Sequence, residues 1–261
     1  MLADAGLGSR RQLEQWIAAG RVTVNDEPAA VGQRVTPADR IAVDGRPVNV
    51  ARQEGCRVVV LNKRPGVICS RSDPEGRATV FDDLPALRSG RWISIGRLDV
   101  QTAGLLLLTN DGALAHRMMH PSTGLDREYA VRVHGRLTDE ELAALKAGVE
   151  VEGERLAFSD IRYYDGSGAN HWYHAVLMEG RNREVRRLFE AVGLTVSRLK
   201  RVRYGPVVLP STLRQGQRRE LSEDDLKTLY GLLGLPLTLP KRRPRGNREL
   251  ASMLLPYPSL G

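Results

Sequence analysis

The residue of this chain that is best suited to take part in a reaction is Asp99, which lies in a polar insert between two apolar segments. The insert follows Ser94-Ile95 and precedes the apolar run Leu105–Leu108, which Asn110-Asp111-Gly112 closes with a turn signal. The pattern predicts a loop between two buried strands. A carboxylate held by rigid elements can be catalytic, whereas a lone loop aspartate commonly caps a turn. The rest of the chain has to decide between these two interpretations.

A second segment that could contribute to a functional site is the arginine-rich stretch that follows Glu179. Its apolar residues recur at i, i+3, i+4 and i+7 and predict a helix with one core-facing stripe, made of Val185, Leu188, Phe189 and Val192. At about 100° per residue, Arg187 points nearly opposite this stripe and Arg186 lies at its edge. An edge arginine can turn inward if a carboxylate is there to pair with it.

Basic residues are concentrated around this predicted helix and the strand predicted after it, 196–202. Residues 181–203 contain eight basic and two acidic side chains, most of the excess in a chain of net charge +8 and pI about 9.9. Such a run is often only a solvated face, but it can also bind phosphates. The candidate RNA contacts of the chain beyond residue 48 are Lys63, Arg97, Arg181, Arg183, Arg187, Lys200 and Arg201.

Residues 1–48 have the pattern of a small αβ unit with equal numbers of basic and acidic side chains. Ser9 is a suitable N-cap for a helix over 10–18. Short strands are expected at 22–25, around Val35 and at 40–43, with a turn at 26–28. Because the unit has no net charge, RNA binding would depend on the arrangement of Ser9, Arg10, Arg11 and Arg21 at the helix ends. A generic αβ unit is the alternative.

Composition sets limits on the class of protein. The 261 residues are 41% hydrophobic and 27% charged, as in an ordinary globular protein. Two cysteines form neither a metal cluster nor a disulfide framework, and the histidines lack metal-ligand spacing. No apolar run approaches a membrane span, and no signal peptide is evident. We therefore expect a cytoplasmic protein with no metal and no membrane partner.

The chain divides into four expected regions. Residues 1–48 form the small unit, 49–56 a linker, 57–235 a large domain and 236–261 a basic, disordered tail. Within the large domain we expect strands at 57–63, 67–70, 127–134 and 172–178, helices at 113–120, 138–148 and 223–233, and a turn at 166–168. Tyr129, Val131 and Val133 share one face of the third of these strands.

Several motifs resemble those of known families. The small unit, with Gly8-Ser9-Arg10-Arg11 and Val22-x-Val24-Asn25, resembles the RNA-binding module first known from a small-subunit ribosomal protein, although the long basic first helix of that module is shortened. Lys63-Arg64-Pro65-Gly66, Gly96-Arg97-Leu98-Asp99, Arg127-Glu128-Tyr129 and 179–187 resemble bacterial pseudouridine synthases of the RsuA/RluB type. The segments 100–104, 127–131 and 170–172 are most similar to the RluB branch.

This resemblance implies an α+β protein, with a small RNA-binding αβ module followed by a catalytic domain on a mixed, largely antiparallel sheet. It implies that Asp99 is the catalytic carboxylate in a central cleft, that Tyr129 packs on the target base, and that Arg186 is the ion-pair partner of Asp99. The implied substrate is ribosomal RNA, 23S for the RluB branch, and the implied state is a monomer.

The chemistry of uridine isomerisation suits these residue types. The C–N glycosidic bond breaks, the uracil turns and a C–C link forms, without redox change, so we expect no cofactor. One ionised carboxylate can attack as a nucleophile or remove a sugar proton, and both remain open. A cation within about 4–6 Å favours ionised aspartate. Tyr129 offers a face for a flipped base, although its place beside Val131 and Val133 also suits a core residue.

Three hypotheses therefore stand. The chain is a pseudouridine synthase acting on large-subunit ribosomal RNA, or a synthase acting on small-subunit RNA or another large-subunit site. The third is a non-catalytic RNA-binding factor in ribosome assembly. The presence of Asp99, Tyr129 and Arg186 together favours an enzyme.

Overall fold

The computed structural model describes residues 2–3, 5–36, 38–48, 55–239 and 251–258. The elements near the N-terminus are α1 (Arg10–Ala18), β1 (Val22–Val24), β2 (Glu27–Pro28), β3 (Ile41–Val43) and β4 (Arg46–Val48). The four strands form an antiparallel sheet of order β2-β1-β3-β4. The α+β class expected for this unit is confirmed.

Ser9 caps α1 as predicted, because its side-chain oxygen accepts a hydrogen bond of 3.2 Å from the Gln12 amide. The turn predicted at 26–28 is wrong in part. The chain reverses at Asn25 and Asp26, both with positive φ, so Glu27 and Pro28 already belong to β2. Position 35 is not in a strand.

The large domain alternates strands with four further helices. In chain order these are β5 (Val58–Lys63), β6 (Ile93–Ile95), β7 (Ala103–Thr109), α2 (Gly112–Met119), β8 (Arg127–His134), α3 (Asp139–Ala147), β9 (Val149–Val151), β10 (Glu154–Leu156), β11 (Asp160–Ser167), β12 (Asn170–Leu177), α4 (Glu184–Ala191), β13 (Thr195–Tyr204), β14 (Val207–Val208), β15 (Arg218–Glu220) and α5 (Glu223–Leu232). The strand predicted at 67–70 is only an isolated bridge from Ile68 to Thr79. β11 runs through the first part of the turn predicted at 166–168.

A nine-stranded mixed sheet organises this domain. Its main path is β11-β12-β8-β13-β7-β5-β15, with β6 attached to β7 and β14 to β13. Every pairing is antiparallel except that of β13 with β7, where Lys200 lies opposite Ala103 and Arg201 opposite Gly104. The expectation of a mixed, largely antiparallel sheet is confirmed. A separate hairpin pairs β9 with β10.

Alternating side chains give the sheet two differently packed faces. On one face, Tyr129, Val131 and Val133 of β8 join a core cluster with Leu188 and Phe189 of α4. On the other face, β5 and β7 pack against α2 and α5, as the cluster membership of Val58, Val60, Leu105, Leu107, Leu114 and Leu229 shows. The period-two pattern of the strands therefore decides which side carries α4 and its arginines.

The prediction of a disordered tail from residue 236 is wrong for the described part of that segment. The Cys56 amide donates a hydrogen bond of 2.7 Å to the Thr238 carbonyl. Met253 is 2% exposed and joins the cluster with α5, and the Tyr257 hydroxyl donates to the Asp126 carboxylate at 2.8 Å. Apolar side chains at 237, 239, 253 and 254 explain this packing. The basic stretch 241–245 and most of the linker, 49–54, lie outside the described residues.

The five α-helices of the described ranges all lack the length and apolar character needed to cross a membrane.

Candidate active site

The loop that carries Asp99 joins β6 to β7, as predicted. Ile95 and Leu105 are both fully buried, so strands fix the loop from either side. Within the loop, Leu98 is buried in the core cluster, whereas Asp99 is exposed. The Thr102 amide donates a hydrogen bond of 3.0 Å to the Asp99 carbonyl and closes a tight turn. The carboxylate thus faces solvent from a backbone that is anchored.

Lys63, the last residue of β5, binds the backbone of this loop through its side chain. Its side chain is buried, with 1% exposure. The ammonium nitrogen lies 2.9–3.2 Å from four backbone carbonyls, those of Arg64, Asp99, Val100 and Thr102, which share its three N–H donors. Burial lowers the pKa of Lys63, opposed by the charges of Cys69 and Asp99. The expectation that Lys63 contacts RNA is wrong, because its donors are used inside the protein.

The turn after Lys63 adds to this anchoring. The Gly66 amide donates to the Val100 carbonyl at 2.8 Å. The Leu98 amide points to the Cys69 sulfur at 3.5 Å. The Lys63-Arg64-Pro65-Gly66 motif therefore positions the loop. The sequence did contain a sign of this anchoring role. A lysine closes the apolar strand Val58-Val59-Val60-Leu61, and a charged side chain at such a position needs buried hydrogen-bond acceptors.

Arg186 lies half-buried on α4, at the edge of the apolar stripe as predicted. Its Nη1 donates to the Val196 carbonyl at 3.0 Å, and its buried Nε has no hydrogen-bond partner among the described residues. Burial and the charge of Arg183 lower the pKa of Arg186, and the negative charge of Asp99 acts in the opposite direction. No salt bridge within 4.0 Å joins the Arg186 and Asp99 side chains in the described chain, so the Asp99 charge acts on Arg186 at longer range than a direct ion pair.

Tyr129 lies on the same sheet face as this core. The residue is 8% exposed, and its cross-strand neighbours are Ala175 and Arg201. It shares a cluster with Leu98 of the Asp99 loop and Val185 of α4. Tyr129 is therefore largely a core residue in the RNA-free protein.

The segment before α4 has an unusual backbone. Arg183 has φ +50°, in the left-handed region. Glu184 accepts a hydrogen bond of 2.9 Å from the Arg181 amide, and burial raises the pKa of Glu184. These contacts fix the start of the helix that carries Arg186.

The basic residues predicted to bind RNA do not form one surface. Arg201 is 3% exposed and donates to the Leu105 carbonyl at 2.8 Å, so its assignment as an RNA contact is wrong. Arg187 is not on an open face, because the β9–β10 hairpin covers it and its guanidinium pairs with Glu152 and Glu154. Arg203 pairs with Asp126 and Glu128. Burial of Arg201 and the ion pairs of Arg187 and Arg203 thus make part of the basic stretch 181–203 unavailable for RNA.

Some of the other candidate RNA contacts are exposed, and others are paired with acidic side chains of the protein. Arg10, Arg11 and Arg97 are exposed. Arg21 pairs with Asp44 and stacks on Trp16 at 4.7 Å. Arg181 pairs with Glu179, Arg183 lies 4.0 Å from Glu190, and Lys200 is half-buried on β13. Ser9 serves as a cap.

A metal centre is not evident in the described ranges, which bring together no group of three or more histidine, cysteine, aspartate or glutamate side chains that could hold a metal ion.

Comparison with known proteins agrees with this geometry. A family model described as RNA pseudouridylate synthase matches residues 57–191, and the S4 domain matches residues 1–41. The protein named ribosomal large subunit pseudouridine synthase B in Pseudomonas aeruginosa is 53% identical over 95% of this chain and 67% of its own length. The protein of that name in Escherichia coli K12 is 52% identical over 90% of this chain and 82% of its own.

A solved structure adds the fold. The crystal structure of a pseudouridylate synthase is 28% identical to this chain, covers 87% of it and 96% of its own chain, and gives a TM-score of 0.61. Asp99, its anchoring motif and the helix of Arg186 all lie within or directly beside the matched segment 57–191. The chain belongs to the RNA pseudouridylate synthase family, with an S4 domain at its N-terminus, and is an RNA-modifying enzyme.

Proposed function

We propose that this enzyme isomerises one uridine of large-subunit (23S) ribosomal RNA to pseudouridine and acts as a monomer. Two relatives of more than half identity carry the name of a large-subunit synthase, and the resemblance extends through the S4 domain and the catalytic segment. The choice of large-subunit over small-subunit RNA rests on these relatives.

One observation carries the assignment of chemistry to Asp99. Its carboxylate is exposed, while its backbone is held by the buried Lys63 ammonium and lies within electrostatic range of Arg186. A group that is rigidly placed yet open to solvent is ready to meet a large substrate without reorganisation.

The net reaction consumes no co-reactant. The C1′–N1 bond of the uridine breaks, the uracil turns and a C1′–C5 bond forms, while C5 loses one proton and N1 gains one. Asp99 either attacks the sugar as a nucleophile or removes a sugar proton to labilise the base. Arg186 attracts the Asp99 charge, and its unpartnered Nε offers a further donor. Tyr129, which shares a core cluster with Leu98 of the Asp99 loop, packs on the flipped base.

The test replaces the carboxylate with an isosteric amide. Asp99→Asn is expected to abolish pseudouridine formation in 23S RNA, measured by chemical mapping of pseudouridine, while RNA binding stays within about threefold of wild type. Asp224→Asn removes an exposed carboxylate on α5 and serves as the matched control, with unchanged activity. Full activity of Asp99→Asn would remove the assignment.

The target needs a separate measurement. Mapping pseudouridine in ribosomal RNA from a strain lacking this gene should show one site lost from the large-subunit RNA. Loss from small-subunit RNA would replace the proposed target, and loss of none would favour a binding role in ribosome assembly.

A further inference from the structure

The sheet has an open face on the side opposite to Tyr129. Along β12, Tyr173 and Ala175 are fully buried in the core with α4, so the alternating residues Trp172 and His174 point the other way. Both are only partly buried. We call this surface the outer face, and it is formed by Arg132, Tyr164, Trp172, His174, Arg198 and Lys200. α2 and α5 pack on the same side of the sheet, but against β5 and β7.

Tyr164 is the most exposed aromatic ring of this face. It is 71% exposed, and its ring centre lies 5.0 Å from that of His174. Tyr164 follows the core-facing Tyr163 in β11 and so points to the outer face by simple alternation, while Tyr163 packs edge-on against Tyr173 of the core. A tyrosine with an open face that is held by a neighbouring ring can stack an unpaired base.

Three cations of this face, Arg132, Arg198 and Lys200, lack an acidic partner among the described residues, whereas His174 lies 2.7 Å from Glu128. Arg198 and Arg132 lie directly opposite each other on β13 and β8, an arrangement of like charges that costs free energy. Arg132 donates from Nε to Ser197 at 2.9 Å and lies 5.9 Å from the Trp172 ring centre. Among the described residues, no salt bridge joins either arginine or Lys200 to an acid.

Other arginines of β13 and β11 do have acidic partners. Arg203 and Arg162 are each paired with carboxylates, at 2.6 Å and 2.7 Å. Of the acids on this face, Glu128 is taken up by His174 and Arg203, at 2.7 Å and 3.0 Å, and Asp165, opposite Trp172, accepts a hydrogen bond from the Gly166 amide. Arg132, Arg198 and Lys200 thus form a local positive patch beside exposed rings, which matches a phosphate backbone with unstacked bases.

We propose that the outer face binds an unpaired strand of RNA, with phosphates at Arg132, Arg198 and Lys200 and a base stacked on Tyr164. This contact goes beyond the proposed function, since it lies on the opposite side of the sheet from Tyr129 and requires neither a uridine nor chemistry at Asp99. It gives the enzyme a second hold on the RNA that surrounds its target.

The experiment uses the full chain and a fluorescent 12-nucleotide oligoadenylate, which contains no uridine. Fluorescence anisotropy should give about tenfold weaker binding for Tyr164→Ala, the size expected for loss of one stacked base. Arg198→Gln should reduce the slope of log K against log salt by about 0.7, as for one lost phosphate contact on a single strand.

The chain offers a matched control for each change. Tyr163→Ala removes the adjacent tyrosine from the other side of β11, and Lys227→Gln removes an exposed cation of α5; both should bind oligoadenylate as wild type does. Thermal midpoints no lower than that of wild type for Tyr164→Ala and Arg198→Gln would show that folding is intact, and relief of the like-charge pair with Arg132 can raise the midpoint of the second variant.

Wild-type affinity in both outer-face variants would overturn the proposal, as would equal losses in Tyr163→Ala and Tyr164→Ala, or a wild-type protein that does not bind the probe. Pseudouridine formation is assayed separately on ribosomal RNA, so failure of this contact leaves the synthase assignment standing, and failure of the synthase assignment leaves the binding result interpretable.

Discussion

The Lys63 ammonium donates a hydrogen bond of 3.1 Å to the backbone carbonyl of Asp99. Strand β5 therefore holds the candidate catalytic residue through its main chain and leaves its carboxylate free for the substrate. Because the same ammonium also reaches the carbonyls of Val100 and Thr102, one buried side chain determines the shape of the whole loop.

Replacing Lys63 with methionine keeps the apolar stem and removes the donors. The buried Thr102 carbonyl left without a partner costs about 1–3 kcal/mol, and the three part-buried carbonyls add less because water can reach them. Lys63→Met should therefore lower the free energy of unfolding in urea by about 2–4 kcal/mol and reduce kcat at least tenfold. Lys146→Met, which loses a half-exposed ion pair with Asp160, should change stability by less than about 1 kcal/mol. Normal stability and turnover in Lys63→Met would contradict the anchoring role.

Arg186 and Arg187 are adjacent but should fail in different ways. Arg186→Met removes the charge that interacts with Asp99, so kcat should fall by about a hundredfold or more in a protein that remains folded. Arg187→Met breaks the contacts with Glu152, Glu154 and the Val151 carbonyl, so it should lower the unfolding midpoint and largely preserve kcat. Single-turnover assays and thermal unfolding separate the two, and near-normal kcat in Arg186→Met would exclude the electrostatic role.

Gly104 allows β7 to approach β13. It has φ +100°, and a Cβ there would lie 2.2 Å from the Arg201 carbonyl oxygen, which is backbone and cannot move alone. Gly104→Ala should therefore destabilise the protein by several kcal/mol, on the order of 3 or more. Gly96→Ala also has positive φ but meets no atom within 4 Å, so it should cost only about 1 kcal/mol. Similar unfolding midpoints for the two variants would disprove the steric argument.

Acid should weaken the attachment of the segment 251–258. Burial raises the pKa of Asp126, but hydrogen bonds from Arg203 and Tyr257 outweigh it, so its pKa is lowered overall, as is that of Glu128. A carboxyl whose pKa is lower in the folded state stabilises fully above its unfolded pKa, near 4, and loses this contribution as the pH falls through the folded value. Stability should thus drop from about pH 5 downward.

Asp126→Asn tests this linkage. Urea unfolding at a series of pH values should show lower stability at pH 7 and a weaker decline in acid than in wild type. Asp83→Asn, at an exposed position, should follow the wild-type pH profile. A steeper acid decline in Asp126→Asn would contradict the sign of the linkage.

Much of the fold follows from local pattern. The cap at Ser9, the capping box at Thr138 with Glu141, and the stripe of α4 were all correctly predicted, since each depends on residues close in sequence. The position of Asp99 between two buried strands follows from the same kind of pattern.

Contacts between distant segments escaped prediction. Glu152 and Glu154 cover Arg187 from a separate hairpin, and Lys63 finds its acceptors about 36 residues away along the chain. The packing of Met253 against α5 was missed because the neighbouring basic stretch dominated the composition of the tail. Charge runs predict a surface only when no partner from elsewhere in the chain reaches them.

The parallel pairing of β7 with β13 has a consequence for how the enzyme comes into being. Gly104 and Arg201 can meet only after the chain has been synthesised through β13, and a parallel pair so distant in sequence forms late in folding. Arg186 reaches its place through the same strand, whose Val196 carbonyl it binds. A nascent or truncated chain that ends before β13 can therefore carry Asp99 and still be inactive, so that chemistry on RNA begins only when the sheet is complete.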